Sequence, residues 1–260
     1  MCQKLSSMAR LALVVITLNE EKNIERCLSS ASGLADELIV VDSGSHDRTI
    51  ELAQQMGAKV IFHPFENHIS QKNYAFSQAT SDWILSLDAD EALSDTLKNS
   101  IREALNNPQY KGYTMNRLTN YCGRWIKHSG WYPDRKLRLV KKGKAHWTGR
   151  NPHDRLILNE QTRTGHLSGD ILHYSYYTLQ DHIDQMSDFS CIAAKELLKQ
   201  GLKPHFYHFV LKPSFKFFRH YVLKLGFLDG YEGFQIARLS AYGQFLKYAR
   251  LRELYKNNQA

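Results

Sequence analysis

The stretch LALVVITLNEEKNIERCLSSASGLADELIVVDSG, residues 11–44, switches between two apolar periodicities. Residues 11–17 are a short β-branched run of the kind a fully buried strand requires, and the run stops at Asn19. Ile24, Cys27, Leu28 and Ala31 then recur at helical spacing. Residues 37–41 (ELIVV) are a second buried run that ends at Asp42-Ser43-Gly44-Ser45, and Asp47 is placed to cap a helix carrying Ile50, Ala53 and Met56. The same unit continues with a strand at 59–62, a helix at 69–79 and a strand at 82–87 (DWILSL), which delivers Asp88-Ala89-Asp90-Glu91 at its carboxyl end. A further helix is read from Leu93, Leu97, Ile101 and Leu105, four apart. Such alternation predicts an α/β fold, Rossmann-like, with a mostly parallel sheet flanked by helices and ligands bound beyond the carboxyl ends of the strands. The polar clusters at 19–20, 42–47 and 88–91 all fall in those loops.

With 260 residues, 43% hydrophobic and 23% charged, the chain is long enough to bury a full core, which excludes a small disulfide-held scaffold. Cys2, Cys27, Cys122 and Cys191 lie far apart without a CxxC pair and are read as reduced structural thiols. No run is long and apolar enough to span a bilayer, and residues 1–10 lack the apolar core of a signal peptide, so a cytoplasmic location is expected. The net charge of +8 is uneven. Residues 122–155 hold ten basic against two acidic side chains, and residues 201–260 hold ten against three. Such zones suit phosphate-rich partners.

Alternation weakens after residue 111, with strands expected at 113–118 and 136–140 around an irregular aromatic loop, and helices at 178–199 and 215–255. Arg124, Lys127, Arg135, Lys136, Arg138, Lys141, Lys142 and Lys144 lie among Trp125, Trp131, Tyr132 and Trp147. That mixture reads as a surface for an anionic sugar acceptor, with a plain solvated basic face as the alternative. The last stretch interleaves Phe, Tyr and Leu with Lys and Arg, as an interfacial helix would, or as a helix packed on the catalytic domain. Asp88 and Asp90, two residues apart at a strand end, point the same way and suit a hard cation, Mg²⁺ or Mn²⁺, that also binds phosphate oxygens. Taken alone, the pair also fits a capped turn.

VVITLNEE (14–21), ELIVVDSGSHDRT (37–49), QKNYA (71–75) and DWILSLDADE (82–91) together resemble the nucleotide-binding half of family 2 glycosyltransferases, in that family's order and spacing. One departure is Ile16-Thr17 where a proline usually precedes the first loop. The resemblance implies a GT-A fold with an inverting reaction on a nucleotide-sugar donor and a divalent cation held by Asp88 and Asp90. It implies that Thr17, Asn19 and Glu20 line the nucleotide pocket, that Asp42 accepts from the base with Ser45 nearby, and that Lys72, Asn73, Asp88 and Ala89 lie by the ribose and diphosphate. A turn-forming role for Asp42 and a solvated helix position for Lys72 are the alternatives. His173, in ILHYSY, matches the place of a late histidine ligand to the ion; a packed core histidine is the other reading. An inverting transfer needs a base, and Asp154, in Asn151-Pro152-His153-Asp154, matches the position of an acidic pair in many members, with Asp134 as its rival.

Further matches in WYPDRKLRLVKKGKAHWTG and GFLDGYEGFQIA extend the resemblance over nearly the whole chain, to bacterial lipopolysaccharide core glycosyltransferases of the WaaE/KdtX type. This implies transfer of a hexose, glucose from UDP-glucose, to a phosphorylated inner-core heptose, by a protein peripheral on the inner face of the inner membrane and drawn to its anionic surface. The expected layout is a GT-A domain over 1–176, with a nucleotide-binding half at 11–92 and an acceptor half at 111–176, and a helical basic-aromatic extension over 177–260. A polyprenyl phosphate acceptor is the second reading. A basic nucleic-acid-binding protein is the third, but it leaves the acidic strand-end loops without a role, so no nucleic-acid partner is expected.

Overall fold

The computed structural model describes residues 9–150 and 153–257; the readings on Cys2, on residues 1–8 and on Asn151-Pro152 lie outside the described residues. The chain divides into two compact units, one of Met1–Arg117 with Asp134–His173, the other of Leu118–Pro133 with Tyr174–Ala260. One boundary between these units lies after His173, and residues 118–133 group with the C-terminal segment. The physical reason is a shared core: Tyr121 and Ile126 are buried with Ile236, and Trp131 and Tyr176 pack against them.

In the first unit β1 (Leu11–Thr17), α1 (Ile24–Ser30), β2 (Glu37–Asp42), α2 (Thr49–Gln55), β3 (Lys59–Phe62), α3 (His68–Ser77) and β4 (Trp83–Asp88) follow one another as read from the periodicity. The order β3-β2-β1-β4 is parallel throughout, with Val14 opposite both Ile39 and Ser86. Register then sets the site, because Thr17 pairs with Asp42 and Ile16 with Asp88, so three polar loops emerge side by side at the carboxyl edge. β5 (Glu91–Leu93) and α4 (Asp95–Asn106) follow. The sheet continues from β4 through antiparallel partners, β8 (Asp134–Lys141) and β6 (Gly112–Tyr121), then β11 (Gly165–Tyr176) and β5. β9 (Ala145–Arg150) and β10 (His153–Leu158) form a separate hairpin.

Alternate residues of β1 serve the two faces, as a strand covered on both sides demands. Leu11, Leu13 and Val15 pack with Ile24, Cys27 and Leu28 of α1 and with Leu97, Ile101 and Leu105 of α4. Ala12 and Val14 face the other way, onto Ala75 and Phe76 of α3 and onto Trp147 and Leu156 of the hairpin. Two local readings are corrected. Leu93 lies on β5, and α4 starts only after Ser94, whose hydroxyl accepts from Leu97 N at 3.3 Å. Asp47 stands one residue before the N-cap Arg48 and braces the turn instead, its Oδ1 accepting from Thr49 N at 3.0 Å.

The second unit comprises β7 (Arg124–Ile126), paired with Thr119–Tyr121 of β6, and the helices α5 (Leu179–Lys199), α6 (Phe206–Phe218) and α7 (Gly230–Asn257). Thr178 caps α5 through a reciprocal box with Asp181. The helical stretch read at 215–255 begins earlier and is broken: a π-helical turn at Arg219–Leu223 leads to Leu225, whose φ is 54°, and a 3-10 turn at Gly226–Asp229 precedes α7. The break has an anchor, since buried Asp229 accepts from Lys127 N at 3.2 Å and from His128 N at 2.8 Å. Among the described residues no helix is long and apolar enough to cross a membrane.

Gly169 has φ +91°, and a Cβ there would meet Leu97 N at 2.3 Å, so Gly169→Ala is expected to destabilise the protein by at least ~2 kcal/mol in urea unfolding. His182 is buried beside Tyr121, its Nδ1 3.0 Å from the phenol oxygen, and burial pushes its imidazole down to about 4 from 6.5. As pH falls the unfolded chain takes that proton first, so the stability contribution is complete above 6.5 and is lost between 6.5 and about 4. Unfolding measured across this window should show a decline of order 2 kcal/mol that His182→Phe removes.

Candidate active site

At the carboxyl edge of β1, β2 and β4 the loops are stitched to one another before any ligand arrives. Asn19, at φ 55°, donates its backbone N–H to Ser45 Oγ at 2.8 Å, and its Oδ1 accepts from His46 N at 2.9 Å. Glu20 N donates to Thr49 Oγ1 at 2.7 Å and Glu21 N to Asp47 Oδ2 at 3.1 Å. Asp42 is buried and its carboxylate accepts from Gly44 N, Ser45 N and Ser45 Oγ, at 2.7, 2.9 and 2.5 Å. It therefore holds its own turn; Asp42 is not itself among the residues that line the cavity described next.

A cavity of about 410 Å³ opens beyond these loops, lined by Ile16, Thr17, Leu18, Glu20, Ser43, Phe65, His68, Asp88, Ala89 and Asp90. Thr17 Oγ1 is buried with no hydrogen-bond partner among the described residues. Phe65 and His68 carry no signal in the sequence that marks them as wall residues. Gln71, equally unmarked, braces the wall: its amide donates to Ser43 Oγ at 3.0 Å and to His63 O at 3.1 Å.

Behind the cavity runs a chain of alternating charge. Lys72 Nζ lies 2.9 Å from Asp88 Oδ1 and 2.9 Å from Asp154 Oδ2. Arg138 Nη2 reaches Asp88 Oδ2 at 2.9 Å and Glu91 Oε1 at 3.0 Å. Arg117 lies 3.3 Å from Glu91 and 2.8 Å from Asp134, and Lys136 lies 3.1 Å from Asp134. Burial by itself would raise the Asp88 carboxyl, but Lys72 and Arg138 outweigh it and hold the group well below the usual carboxylate range. Burial likewise disfavours the Arg138 charge, and Glu91 and Asp88 restore it. Arg138, read as part of an acceptor-facing basic zone, is thus the buried counter-ion of Asp88 and Glu91, with no hydrogen-bond partner for its Nε and Nη1 among the described residues.

The other predicted residues divide. His173 is brought to Asp90, Nε2 to Oδ2 at 3.1 Å, because β11 pairs with β5 and sets His173 opposite Glu91. Asp154 is brought to Asp88 through the shared Lys72, whereas Asp134 sits at the far end of the charged chain. Asn73 is not in the cavity wall: both ends of its amide bind the backbone of Trp147, at 2.9 Å each. Trp147 is correspondingly core, stacked under Lys72 at 4.3 Å, and Trp131 belongs to the aromatic cluster of the second unit.

A divalent cation can be tested against this donor set. Among the described residues no three His, Cys, Asp or Glu side chains form a ready cage. Magnesium-type sites commonly take one or two carboxylates and complete themselves with substrate phosphates. Burial raises the Glu20 carboxyl, and Asp90, Asp47 and Asp88 push it further up, so carboxylates crowd one another at this cavity. Asp90, beside the His173 imidazole, and Glu20 share the cavity wall with Asp88, whose two oxygens are held by Lys72 and Arg138; donors of these types suit a divalent cation that completes its shell with phosphate oxygens.

The sequence model described as Glycosyl transferase family 2 matches residues 12–176, and the chain belongs to that family. It is 31% identical over 257 residues to an uncharacterized glycosyltransferase of Rickettsia typhi, spanning 95% of this chain and 88% of the relative. It is 27% identical over 247 residues to the lipopolysaccharide core biosynthesis glycosyltransferase LpsC of Rhizobium meliloti, spanning 93% and 91%. Among solved structures, glucosyl-3-phosphoglycerate synthase from Mycobacterium tuberculosis, in complex with Mn²⁺ and UDP-glucose, is 25% identical with a TM-score of 0.37. The overlap takes in 43% of this chain and 44% of that one, under half of either.

Removing one member of a buried charged chain leaves its partners uncompensated. Arg138→Met is expected to cost ~3 kcal/mol or more in urea unfolding, with Arg138→Lys recovering only part, because the shorter side chain and more strongly hydrated ammonium replace a single guanidinium nitrogen that serves two carboxylates.

Proposed function

We propose that this glycosyltransferase moves a hexose, glucose from UDP-glucose, with inversion onto a heptose of the lipopolysaccharide inner core, working as a peripheral protein on the cytoplasmic face of the inner membrane. The observation that carries the reading is the strand-end cavity, where register sets Thr17, Asp42 and Asp88 side by side and Glu20, Asp88 and Asp90 face one space. Its volume of about 410 Å³ suits a nucleotide-sized ligand. The likeness to LpsC along most of the chain supports the core acceptor.

Asp88, Asp90 and His173 would hold the cation, with Glu20 adding to the negative field. When bound, the cation supplies neutralisation of charge on the departing diphosphate. Asp42 accepts from the imide N–H of uracil in this scheme, and the unpartnered Thr17 hydroxyl is available to the nucleotide. Lys72 holds Asp154 by Oδ2, leaving Oδ1 to take the proton of the acceptor hydroxyl as its oxygen bonds to the anomeric carbon and the bond to UDP breaks. Asp134, held by Arg117 and Lys136, is a brace in this scheme.

Calorimetric titration of UDP-glucose with Mn²⁺, with Mg²⁺ and with EDTA is expected to give binding only with a metal, weakened about tenfold or more in Asp90→Ala. Asp154→Asn is expected to lower kcat by ~100-fold or more with UDP-glucose affinity nearly kept, and Asp134→Asn to leave kcat within a few-fold. Full turnover in Asp90→Ala would overturn the metal assignment, and full turnover in Asp154→Asn the base assignment.

A further inference from the structure

The second unit carries a surface that the sugar-transfer chemistry does not use. On α6 the side chains of His208 and Phe209 turn inward onto α7, where His208 stacks on Tyr248 at 4.5 Å and Phe209 meets Phe245 at 6.3 Å. The opposite face is left bare. Phe206, Val210, Leu211, Phe215 and Phe218 of α6, and Val222 of the π-helical turn after it, are all exposed, Phe206 to 80%, Leu211 to 64% and Phe215 to 59%. Exposed large apolar side chains gathered on one helix and its following turn suit contact with another apolar phase.

The charges beside it are of one sign. Between Glu196 and Asp229 the sequence holds no acidic residue. A cavity of about 500 Å³ is lined by Leu211, Lys212, Phe215, Lys216, Arg219 and Gln244, so three cations face it and no carboxylate does. Burial, and then Arg219, pushes the Lys216 ammonium below its ordinary range; burial, Lys216 and Lys212 do the same to Lys247. Lys212 also donates to the Tyr248 hydroxyl at 2.8 Å, and cations crowded beside exposed phenylalanines suit anions that arrive with an apolar phase.

We infer that α6 and the π-helical turn after it form a membrane-docking face, whose apolar stripe enters an anionic bilayer while Lys212, Lys216, Arg219 and Lys247 take lipid phosphates. A second protein copy would bring the same positive charge to the face and is disfavoured by it. The inference rests on the proposed function only for the reason to dock, which is an acceptor carried in the membrane.

Cosedimentation of the full chain with vesicles tests it. Binding is expected to phosphatidylcholine vesicles containing phosphatidylglycerol, with much weaker binding to phosphatidylcholine alone. The K212E/K216E/R219E variant is expected to bind about tenfold or more weakly. The F206S/L211S/F215S variant is expected to lose a comparable factor even at low salt, with circular dichroism and UDP binding unchanged in both. Equal binding of wild type and both variants, or no binding of wild type to either vesicle, overturns the inference. So does self-association of the wild type without vesicles that F206S/L211S/F215S abolishes while no vesicle binding is seen, because the face then belongs to a second copy. Vesicle binding in a protein that takes up no UDP-glucose would leave the docking face standing and sink the donor reading instead.

Discussion

Asp88 sits between two buried cations, and much of the first unit is arranged to make that tolerable. A carboxylate, a lysine and an arginine removed from water each carry a desolvation cost of several kcal/mol, offset only when the partners are close and the remaining polar atoms are satisfied. Here the compensation extends along Asp154, Lys72, Asp88, Arg138, Glu91, Arg117 and Asp134 without two like charges in succession. The members come from α3, β4, β5, β6, β8 and β10, so a single electrostatic requirement ties the parallel strands to the antiparallel ones. Glu91, with a fully buried side chain, links Arg138 to Arg117 and also accepts from Asp88 N at 3.0 Å.

The arrangement separates two electrostatic environments only a side chain apart. On the inner side Asp88 is neutralised by Lys72 and Arg138. On the cavity side Glu20 and Asp90 stand with carboxylate neighbours, and among the described wall residues there is no Lys or Arg, so the potential there is more negative than on the inner side. The inner pairs hold the strand-end geometry in place. Pre-organisation of this kind lowers the ordering cost of binding.

The second unit follows a different logic. Its core is built from small aromatic clusters and helix packing, and a single buried carboxylate, Asp229, fastens the break between α6 and α7 to the backbone of Lys127 and His128. That break is why one long amphipathic pattern becomes two helices, with the apolar stripe of α6 uncovered. Gly230, at φ 68°, supplies the backbone conformation the restart of the helix needs.

Periodicity determined the first four strands and the helices between them, because a strand buried on both faces and an amphipathic helix each leave a local signature that needs no knowledge of partners. It also determined that Asn19, Glu20, Asp42, Asp88 and Asp90 share one edge, since every parallel strand ends on the same side. The motifs were enough to indicate the family. Register and strand order beyond β4 were not legible: nothing local in residues 91–93 says that they pair with β11 and carry His173 to Asp90. The role of Arg138 was hidden for the same reason, since a basic residue in a basic segment looks solvated until the fold sets Asp88 and Glu91 beside it. Local pattern thus sufficed for elements, edge and family, whereas the pairing of charges is a property of positions 50 or 82 residues apart, and only the tertiary structure decided it.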